Sequence, residues 1–343
     1  MPSDPELPLV SIITPSYNQA AFLEDSLGSV LAQDYPAIEY LVVDGGSQDG
    51  SLEIIQRHAD RLAWWVTEPD AGQAQAINKG MARARGEVVG WLNSDDLYLP
   101  GAIRGAVTAL QSQPQAGLVY ADAVSIDSQG NPLNTLAFPD WGLEELMGFR
   151  IICQPAAFMR RTALEQAGYL DESYQFLLDH HLWLRLAGRA PIIHVPALWA
   201  AARQHPEAKN VAQAGGFGRE AFRILDWMQT QPELAPLLVK NRRRVLAGVN
   251  RLNARYLLDG GLPGPALRAY GRALSLWPGF ALLHWRRMLF AAFSVLAGES
   301  TTRRFLNVNR SRQMRAARGL ANLPGIRSWP GITLENFGKN PTG

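Results

Sequence analysis

The stretch LVSIITPSYNQAAFLEDSLGSVLAQDYPAIEYLVVD (9–44) decides the fold class of this chain. It begins with a short apolar, β-branched run at 9–15, continues with apolar residues at helical spacing over 20–33, and ends in a second apolar run at 38–44. A strand, a helix and a second strand joined by short connections are typical of a parallel sheet with helices on its faces. The segment therefore predicts an α/β fold.

The same alternation continues to residue 93, with helices predicted over 51–60 and 74–84 and strands over 62–68 and 87–93. In sheets of this kind, ligands bind beyond the carboxyl ends of the strands. A polar cluster follows each of the four predicted strands, at 14–18, 44–49, 68–73 and 93–96. Four polar clusters at one edge of a sheet favour a binding site over four unrelated turns.

The later segments divide the chain into three predicted regions. Mixed strands and helices continue to residue 205, so we expect an α/β domain over 1–205 and a helical domain over 206–300. Residues 251–279 have small, aromatic and proline residues spaced like one tetratricopeptide-type hairpin. A basic tail rich in proline and glycine is predicted over 301–343.

Composition limits the class of protein and its location. The chain has 343 residues, of which 47% are apolar and 19% charged, and its net charge of +2 gives no reason to expect nucleic-acid binding. The single cysteine excludes an internal disulfide and fits a reducing compartment. No signal-peptide pattern opens the chain, and no apolar run reaches the ~20 residues of a membrane span. We predict a cytoplasmic protein.

Arginines are concentrated in the C-terminal part, at 241–244, 284–287 and 310–318. A solvated helix face explains such a run, and so does a surface that meets a membrane or an acidic partner. Peripheral association with the inner face of the cell membrane and pairing of two subunits into a homodimer therefore both stay open for the helical region.

Asp95 and Asp96 follow the fourth predicted strand and admit two interpretations. They could cap the helix suggested by 99–110, or they could bind Mg²⁺ or Mn²⁺, which combine one or two protein carboxylates with phosphate oxygens of a substrate. The absence of a nearby cysteine or histidine cluster argues against zinc. Pro15 suits a turn after the first strand, and Tyr17 could stack on a base, although a core position explains Tyr17 equally well.

In combination, these residues resemble glycosyltransferase family 2, whose members have the GT-A nucleotide-sugar-binding fold. The resemblance is carried by VSIITPSYNQAAFLEDSLGSVLAQDYPAIEYLVVDGGSQDGS (10–51) and EPDAGQAQAINKGMARARGEVVGWLNSDD (68–96), and it covers about residues 9–205. It departs at Asn93, which occupies the first acidic position of the family's Asp-x-Asp metal motif. Asp95 is then the expected principal metal ligand, with Asp96 in support.

The resemblance also implies a role for individual positions. It makes Asp179, in FLLDHHLWLRL (176–186), the catalytic base, and His205, in ARQHPEAKN (202–210), a residue that helps to hold the metal or the phosphates. It assigns the nucleotide-sugar site to Pro15, Tyr17, Asp44, Asp70, Gln73, Asn78, Ser94 and Asp95, and the Mn²⁺ or Mg²⁺ site to Asp95, Asp96 and His205. His180 and His181 are expected to be packing residues.

The implied reaction is an inverting transfer of a sugar from a nucleotide-sugar donor, with UDP the expected nucleotide, to a hydroxyl of a glycan or lipid-linked acceptor. The family's range suggests synthesis of a bacterial surface polysaccharide. A nucleotidyltransferase would need a glycine-rich, basic loop after the first strand, and TPSYNQA (14–20) is neither. A non-catalytic protein with a degenerate nucleotide pocket stays open, because Asn93 departs from the motif.

Overall fold

The computed structural model describes residues 7–205 and 215–296. The strands are β1 (Val10–Ser16), β2 (Ile38–Asp44), β3 (Trp64–Thr67), β4 (Val88–Trp91), β5 (Leu97–Tyr98), β6 (Leu118–Ile126), β7 (Pro132–Leu136), β8 (Ala157–Arg160) and β9 (Ile192–Arg203). The helices are α1 (Ala20–Leu31), α2 (Ser51–Arg57), α3 (Gln73–Met81), α4 (Ala102–Ser112), α5 (Leu143–Met147), α6 (Arg161–Ala167), α7 (Leu178–Ala187), α8 (Gly215–Thr230), α9 (Ala235–Lys240), α10 (Arg242–Asp259), α11 (Pro263–Leu276), α12 (Pro278–Ala281) and α13 (285–296).

The nine strands form one mixed sheet in the order β3-β2-β1-β4-β8-β6-β9-β5, with β7 beside β6. The first four strands in this order are mutually parallel, and β9 runs parallel to β6. Strand β8 is antiparallel to both β4 and β6, which gives β6 and β9 the direction of β1. The predicted α/β class is confirmed, and the carboxyl ends of six strands point to the same edge.

Both faces of the sheet are covered, because neighbouring residues of each central strand enter different hydrophobic cores. Ile12 packs in one core with α1, α2 and α4, while Ile13 packs in the other with α3 and α7. Val88 and Val89 divide in the same way, as do Phe158 and Met159. This continuous burial explains why the strands are uniformly apolar in sequence.

The C-terminal helices extend the second core. Ile224 and Met228 of α8 and Val249 of α10 belong to the same cluster as Trp91 of β4 and Trp183 of α7. The two tryptophan rings are stacked with their centroids 5.2 Å apart. Helices α10 and α11 lie in the region for which a hairpin is predicted, and the predicted tail over 301–343 lies outside the described residues. Within the described part of the chain, no helix is both long enough and apolar enough to cross a bilayer.

The packing of α10 on the end of α5 predicts the effect of one substitution. A Cβ atom at Gly248 would overlap the carbonyl oxygen of Gly148, which is backbone and cannot turn away. We expect Gly248→Ala to lower the free energy of unfolding by at least about 2 kcal/mol. Gly271→Ala is the matched control, because Gly271 is exposed on α11 with open space around it, and alanine should stabilise there by about 0.5–1 kcal/mol. Urea unfolding measures both, and equal stabilities for the two variants would contradict this packing.

Candidate active site

Tyr17 and Asp70 meet beyond the ends of β1 and β2, with the backbone of Gly45 between them. A Cβ atom at Gly45 would come within 2.7 Å of the Asp70 carboxylate and 3.2 Å of the Tyr17 ring. The Tyr17 side chain is 62% exposed, so a face of its ring is open to a ligand. Asp70 accepts a hydrogen bond of 2.8 Å from the Gly72 N–H through Oδ1. An exposed ring beside a carboxylate can hold a flat, hydrogen-bonding group such as a nucleobase.

Asp44 is fully buried and organises the turn that follows β2. Its Oδ2 accepts hydrogen bonds from the N–H groups of Gly46 and Ser47 at 3.1 and 2.9 Å and from the Thr67 hydroxyl at 2.6 Å. Its Oδ1 accepts from the Ser47 hydroxyl. Since a carboxylate offers about four acceptor sites, a direct bond to a uracil imide would displace one of these donors.

Asn93 is the centre of an amide network at the end of β4. Its Oδ1 accepts from Gln73 Nε2 at 2.8 Å, and its Nδ2 donates to Gln154 Oε1 at 3.1 Å and to Asp96 Oδ2 at 3.3 Å. Gln154 in turn donates to the Trp91 carbonyl oxygen at 2.8 Å. An aspartate at 93 could not donate and would add a third carboxylate, so the departure from the family's motif has a structural reason.

Asp96 turns away from the predicted cation. It is buried, and its Oδ1 accepts from the backbone N–H of Arg203 at 2.9 Å. Burial raises the pKa of Asp96 well above its usual value, and the neighbouring charge of Asp95 raises it further. The expectation that both carboxylates face one cation therefore needs correction: Asp96 ties β9 to the end of β4, because Arg203 and Asn93 supply its donors.

Asp95 and His205 do come together. His205 Nε2 lies 3.1 Å from Asp95 Oδ2, and the imidazole packs on the Phe22 ring with centroids 4.9 Å apart. The buried guanidinium of Arg203 fixes this loop, because it donates to the Asp95 carbonyl oxygen at 2.9 Å and reaches Asp25 at 3.3 Å. Over 7–205 and 215–296, no three carboxylate, imidazole or thiol groups converge as a metal cage would require. One carboxylate and one imidazole fit an ion whose coordination is completed by phosphate oxygens and water.

Asp179 lies in the first turn of α7 and is partly buried. Burial raises its pKa to about 6, the charge of Glu220 adds to this rise, and the N–H of His180, 2.7 Å from Oδ1, opposes it. The charges of Asp179 and Asp96 both act on the buried Cys153 thiol and raise its pKa. A partly buried carboxylate with a pKa of about 6 is ionised at neutral pH and can still accept a proton.

Glu220 of α8 positions the segment that precedes Asp179. Its carboxylate accepts three backbone hydrogen bonds, from Gln175 at 2.6 Å, Phe176 at 2.8 Å and Leu177 at 2.7 Å. Sequence reasoning missed Glu220 and Arg203, because their partners Leu177 and Asp96 lie 43 and 107 residues away in the chain and no local pattern marks such contacts.

The remaining predicted residues differ in their placement. Asn78 exchanges two hydrogen bonds of 2.9 Å with the backbone of Leu170, so it fixes a loop, and its role in the base pocket stays a prediction. Pro15 lies inside β1 opposite Val43 and is buried, because the turn begins only after Ser16. Ser94 is buried in the Asn93–Asp96 turn. His180 and His181 are buried among aromatic rings, and burial lowers their pKa values to about 4 and about 3, so both are neutral packing residues.

Comparison with known proteins identifies relatives in sequence. The family model "Glycosyl transferase family 2" matches residues 11–168. The O-antigen biosynthesis protein RfbC of Myxococcus xanthus is 33% identical over 185 residues, which are 52% of this chain and 14% of that protein. An uncharacterized glycosyltransferase of Mycobacterium tuberculosis, MT1564, is 30% identical over 186 residues, which are 52% of this chain and 69% of that protein. The chain spans 14% to 58% of the length of the first curated relatives that it matches.

Two solved structures share the fold. S. aureus TarS 1-349 in complex with UDP-GlcNAc has a TM-score of 0.56 and 16% identity, covering 85% of this chain and 92% of that one. The mannosyltransferase PcManGT from Pyrobaculum calidifontis, in complex with GDP-Man and Mn²⁺, has a TM-score of 0.58 and 23% identity. The match covers 93% of this chain and 88% of that one. The expected GT-A-type architecture is confirmed. With the family model and the mycobacterial relative in agreement, the chain belongs to glycosyltransferase family 2.

Proposed function

We propose that the chain is an inverting glycosyltransferase that moves a sugar from a nucleotide-sugar donor to a hydroxyl of a glycan or lipid-linked acceptor. The proposal is carried by the Asp95–His205 contact of 3.1 Å, together with a partly buried carboxyl group, Asp179, whose pKa is raised to about 6 by burial. A base with a pKa near neutrality is ionised at working pH and is still basic enough to accept a proton.

The donor pocket lies between Tyr17 and Asp70, and we propose a UDP-linked sugar as its ligand. The carboxylate of Asp70 beside the open Tyr17 ring suits the imide N–H of uracil. Two proteins of the same fold support a nucleotide sugar in general, since TarS binds UDP-GlcNAc and PcManGT binds GDP-Man with Mn²⁺. The O-antigen name of RfbC supports a surface polysaccharide as the product.

The mechanism follows from the groups that this chain supplies. Asp95 and His205 would hold a Mn²⁺ or Mg²⁺ ion, whose charge offsets the negative charge that develops on the leaving diphosphate. Asp179 takes the proton of the acceptor hydroxyl as its oxygen attacks the anomeric carbon, and the nucleoside diphosphate leaves from the opposite face. With one base and no enzyme nucleophile, a single displacement inverts the anomeric configuration.

The donor site can be tested by thermal stability with UDP-, dTDP- and GDP-sugars, each with manganese, magnesium or a chelator. A ligand at 100 times its Kd stabilises the native state by about 2.7 kcal/mol, which raises Tm by several degrees. We expect a metal-dependent shift that Asp95→Asn abolishes and that the exposed control Asp60→Asn retains. Binding without turnover would favour the non-catalytic alternative, and no shift with any donor would exclude the proposed pocket.

The pH dependence of kcat/KM tests Asp179. Because the base must be ionised, kcat/KM should rise with pH through an apparent pKa of about 6, and Asp179→Asn should lower it about 10²–10⁴-fold. Glu220→Gln removes a negative charge near Asp179, so the midpoint should move to lower pH, while Asp226→Asn, an exposed substitution on the same helix, should leave it unchanged.

Stability gives a second readout for Asp179. Its folded-state pKa is higher than in the unfolded chain, so the native state loses stability as pH rises from about 4 to about 6. Asp179→Asn should therefore stabilise the protein at pH 7 by about 1–3 kcal/mol while activity falls. A pH profile or a stability at pH 7 that Asp179→Asn leaves unchanged would exclude this residue as the base.

The last described helix supports peripheral membrane association as part of the proposal. Leu282, Trp285, Leu289, Phe293 and Leu296 recur at helical spacing and are all exposed, Leu289 by 61% and Leu296 by 87%, whereas Ala291 and Ser294 face the protein. Between residues 285 and 327 the sequence has nine arginines and one acidic residue. An apolar stripe followed by a basic segment suits a bilayer with anionic lipids, such as the cytoplasmic leaflet.

Vesicle sedimentation tests this stripe. The double variant Leu289→Ser/Leu296→Ser removes two exposed apolar side chains and should weaken binding to anionic vesicles about 10- to 100-fold without loss of Tm. Val239→Ser, an exposed position on α9, is the control and should bind as the wild type does. Unchanged vesicle binding in the double variant, or a stable dimer that the same variant dissociates, would assign the stripe another role.

A further inference from the structure

Two arginines lie against one phenylalanine ring at the junction of α5, α10 and α12. The guanidinium carbon of Arg251 is 4.0 Å from the centroid of the Phe280 ring, and that of Arg150 is 4.4 Å from it. Arg150 also lies 5.5 Å from the Trp141 ring. Arg251 is only 7% exposed, so its charge lies inside the protein.

Ring stacking alone leaves the N–H donors of both arginines without acceptors. A guanidinium carries five N–H donors, and Arg251 Nε is buried with no partner. Among residues 7–205 and 215–296, no hydrogen bond or ion pair joins the side chain of Arg150 or Arg251 to an acceptor. Burial lowers the pKa of Arg251 to about 9, and the like charge of Arg150 contributes to this, while the charge of Glu145 partly offsets the lowering of the pKa of Arg150.

The carboxylates of the surrounding elements are already used by other cations. Glu145 pairs with Arg244 at 2.5 Å, and Glu144 lies 3.6 Å from Arg244 and 3.8 Å from Lys240. Asp259, the acid of α10, pairs with Arg287 at 2.6 Å and Arg255 at 3.7 Å. The sequences of α11, α12 and α13 contain no acidic residue. The groups named here are six cations and three carboxylates, so the junction has three cationic groups in excess.

We propose that Arg150 and Arg251 form an anion site, distinct from the residues assigned to the donor, that binds a phosphoryl group of the acceptor. The planar N–H fork of a guanidinium matches phosphate oxygens in bidentate geometry, and two such groups suit a dianion. The assignment to the acceptor rests on the proposed transferase function; the anion site itself does not.

The position of the pair connects it to the catalytic base. Arg150 follows Phe149, whose ring packs 5.1 Å from that of His180, the neighbour of Asp179. Phe149 adopts a φ of +54°, an unfavourable conformation for a phenylalanine. The packing of Phe149 on His180 connects the arginine pair to α7, the helix that contains Asp179.

Isothermal titration calorimetry with inorganic phosphate, at constant ionic strength and without metal or nucleotide, tests the site. We expect the wild type to bind phosphate and Arg150→Met/Arg251→Met to lose at least 10-fold in affinity. Arg268→Met/Arg272→Met removes the same charge from the exposed face of α11 and should bind as the wild type does. Asp95→Ala should also retain phosphate binding, because that variant disturbs only the donor cleft.

Measurements of thermal stability and of donor binding distinguish loss of the anion site from loss of the fold or of the donor site. Without phosphate, the arginine double variant should have a Tm at least equal to that of the wild type, because it loses an unmatched buried charge, and its donor-induced shift should be unchanged. The same titration with glucose 1-phosphate and with monomeric dihexanoylphosphatidic acid then shows whether the bound phosphoryl group belongs to a sugar phosphate or to a lipid phosphate. Equal phosphate affinity in the arginine double variant, or loss in Asp95→Ala instead, would overturn the proposal. Failure of every variant to bind a donor would instead overturn the transferase function and leave the phosphate result standing.

Discussion

The geometry of the site depends on how two adjacent carboxylates are accommodated at the end of a buried strand. Asp95 and Asp96 follow β4 directly, where desolvation and mutual repulsion disfavour two negative charges. The structure separates them: Asp96 turns inward to the N–H of Arg203 and the Asn93 amide, and Asp95 turns outward to His205. These donors come from the turn itself and from the end of β9, so the site requires that the carboxyl end of β9 lie beside the Asn93–Asp96 turn.

The sequence predicts the features of the fold that depend on local periodicity. It does not predict side-chain positions that depend on residues distant in the chain. Apolar runs and short connections are enough to place the first four strands and to bring Tyr17, Asp70 and Asp95 to one edge. The direction of the Asp96 side chain depends on Arg203, 107 residues later, and Asn78 is bound by Leu170, 92 residues later. Asp44 accepts a hydrogen bond from Thr67, 23 residues later, as well as from the turn that follows it, and a ligand contact by Asp44 stays a prediction. No rule of residue spacing in the sequence predicts these contacts.

The helical region packs on the α/β domain and contributes a residue that positions the site. Its core is continuous with the sheet through Trp91 and Trp183, and Glu220 holds the backbone that leads into α7. A carboxylate that accepts three N–H groups at a helix start acts as a strong cap, and its charge also raises the pKa of Asp179. The same residue therefore orients the proposed base and adjusts its basicity, which links α8 to the pH range of the reaction.

The C-terminal helices combine two features that each cost free energy in an isolated molecule. The stripe from Leu282 to Leu296 exposes apolar side chains to water, while Arg150 and Arg251 share one ring without a counter-ion. The two features are neighbours in the chain, because Phe280 lies two residues before the stripe begins. An anionic group would remove the electrostatic cost of the two arginines. An apolar chain or surface would remove the cost of exposing the stripe to water. An amphiphile with a phosphate head group satisfies both conditions at once, which is the chemistry of a lipid-linked acceptor.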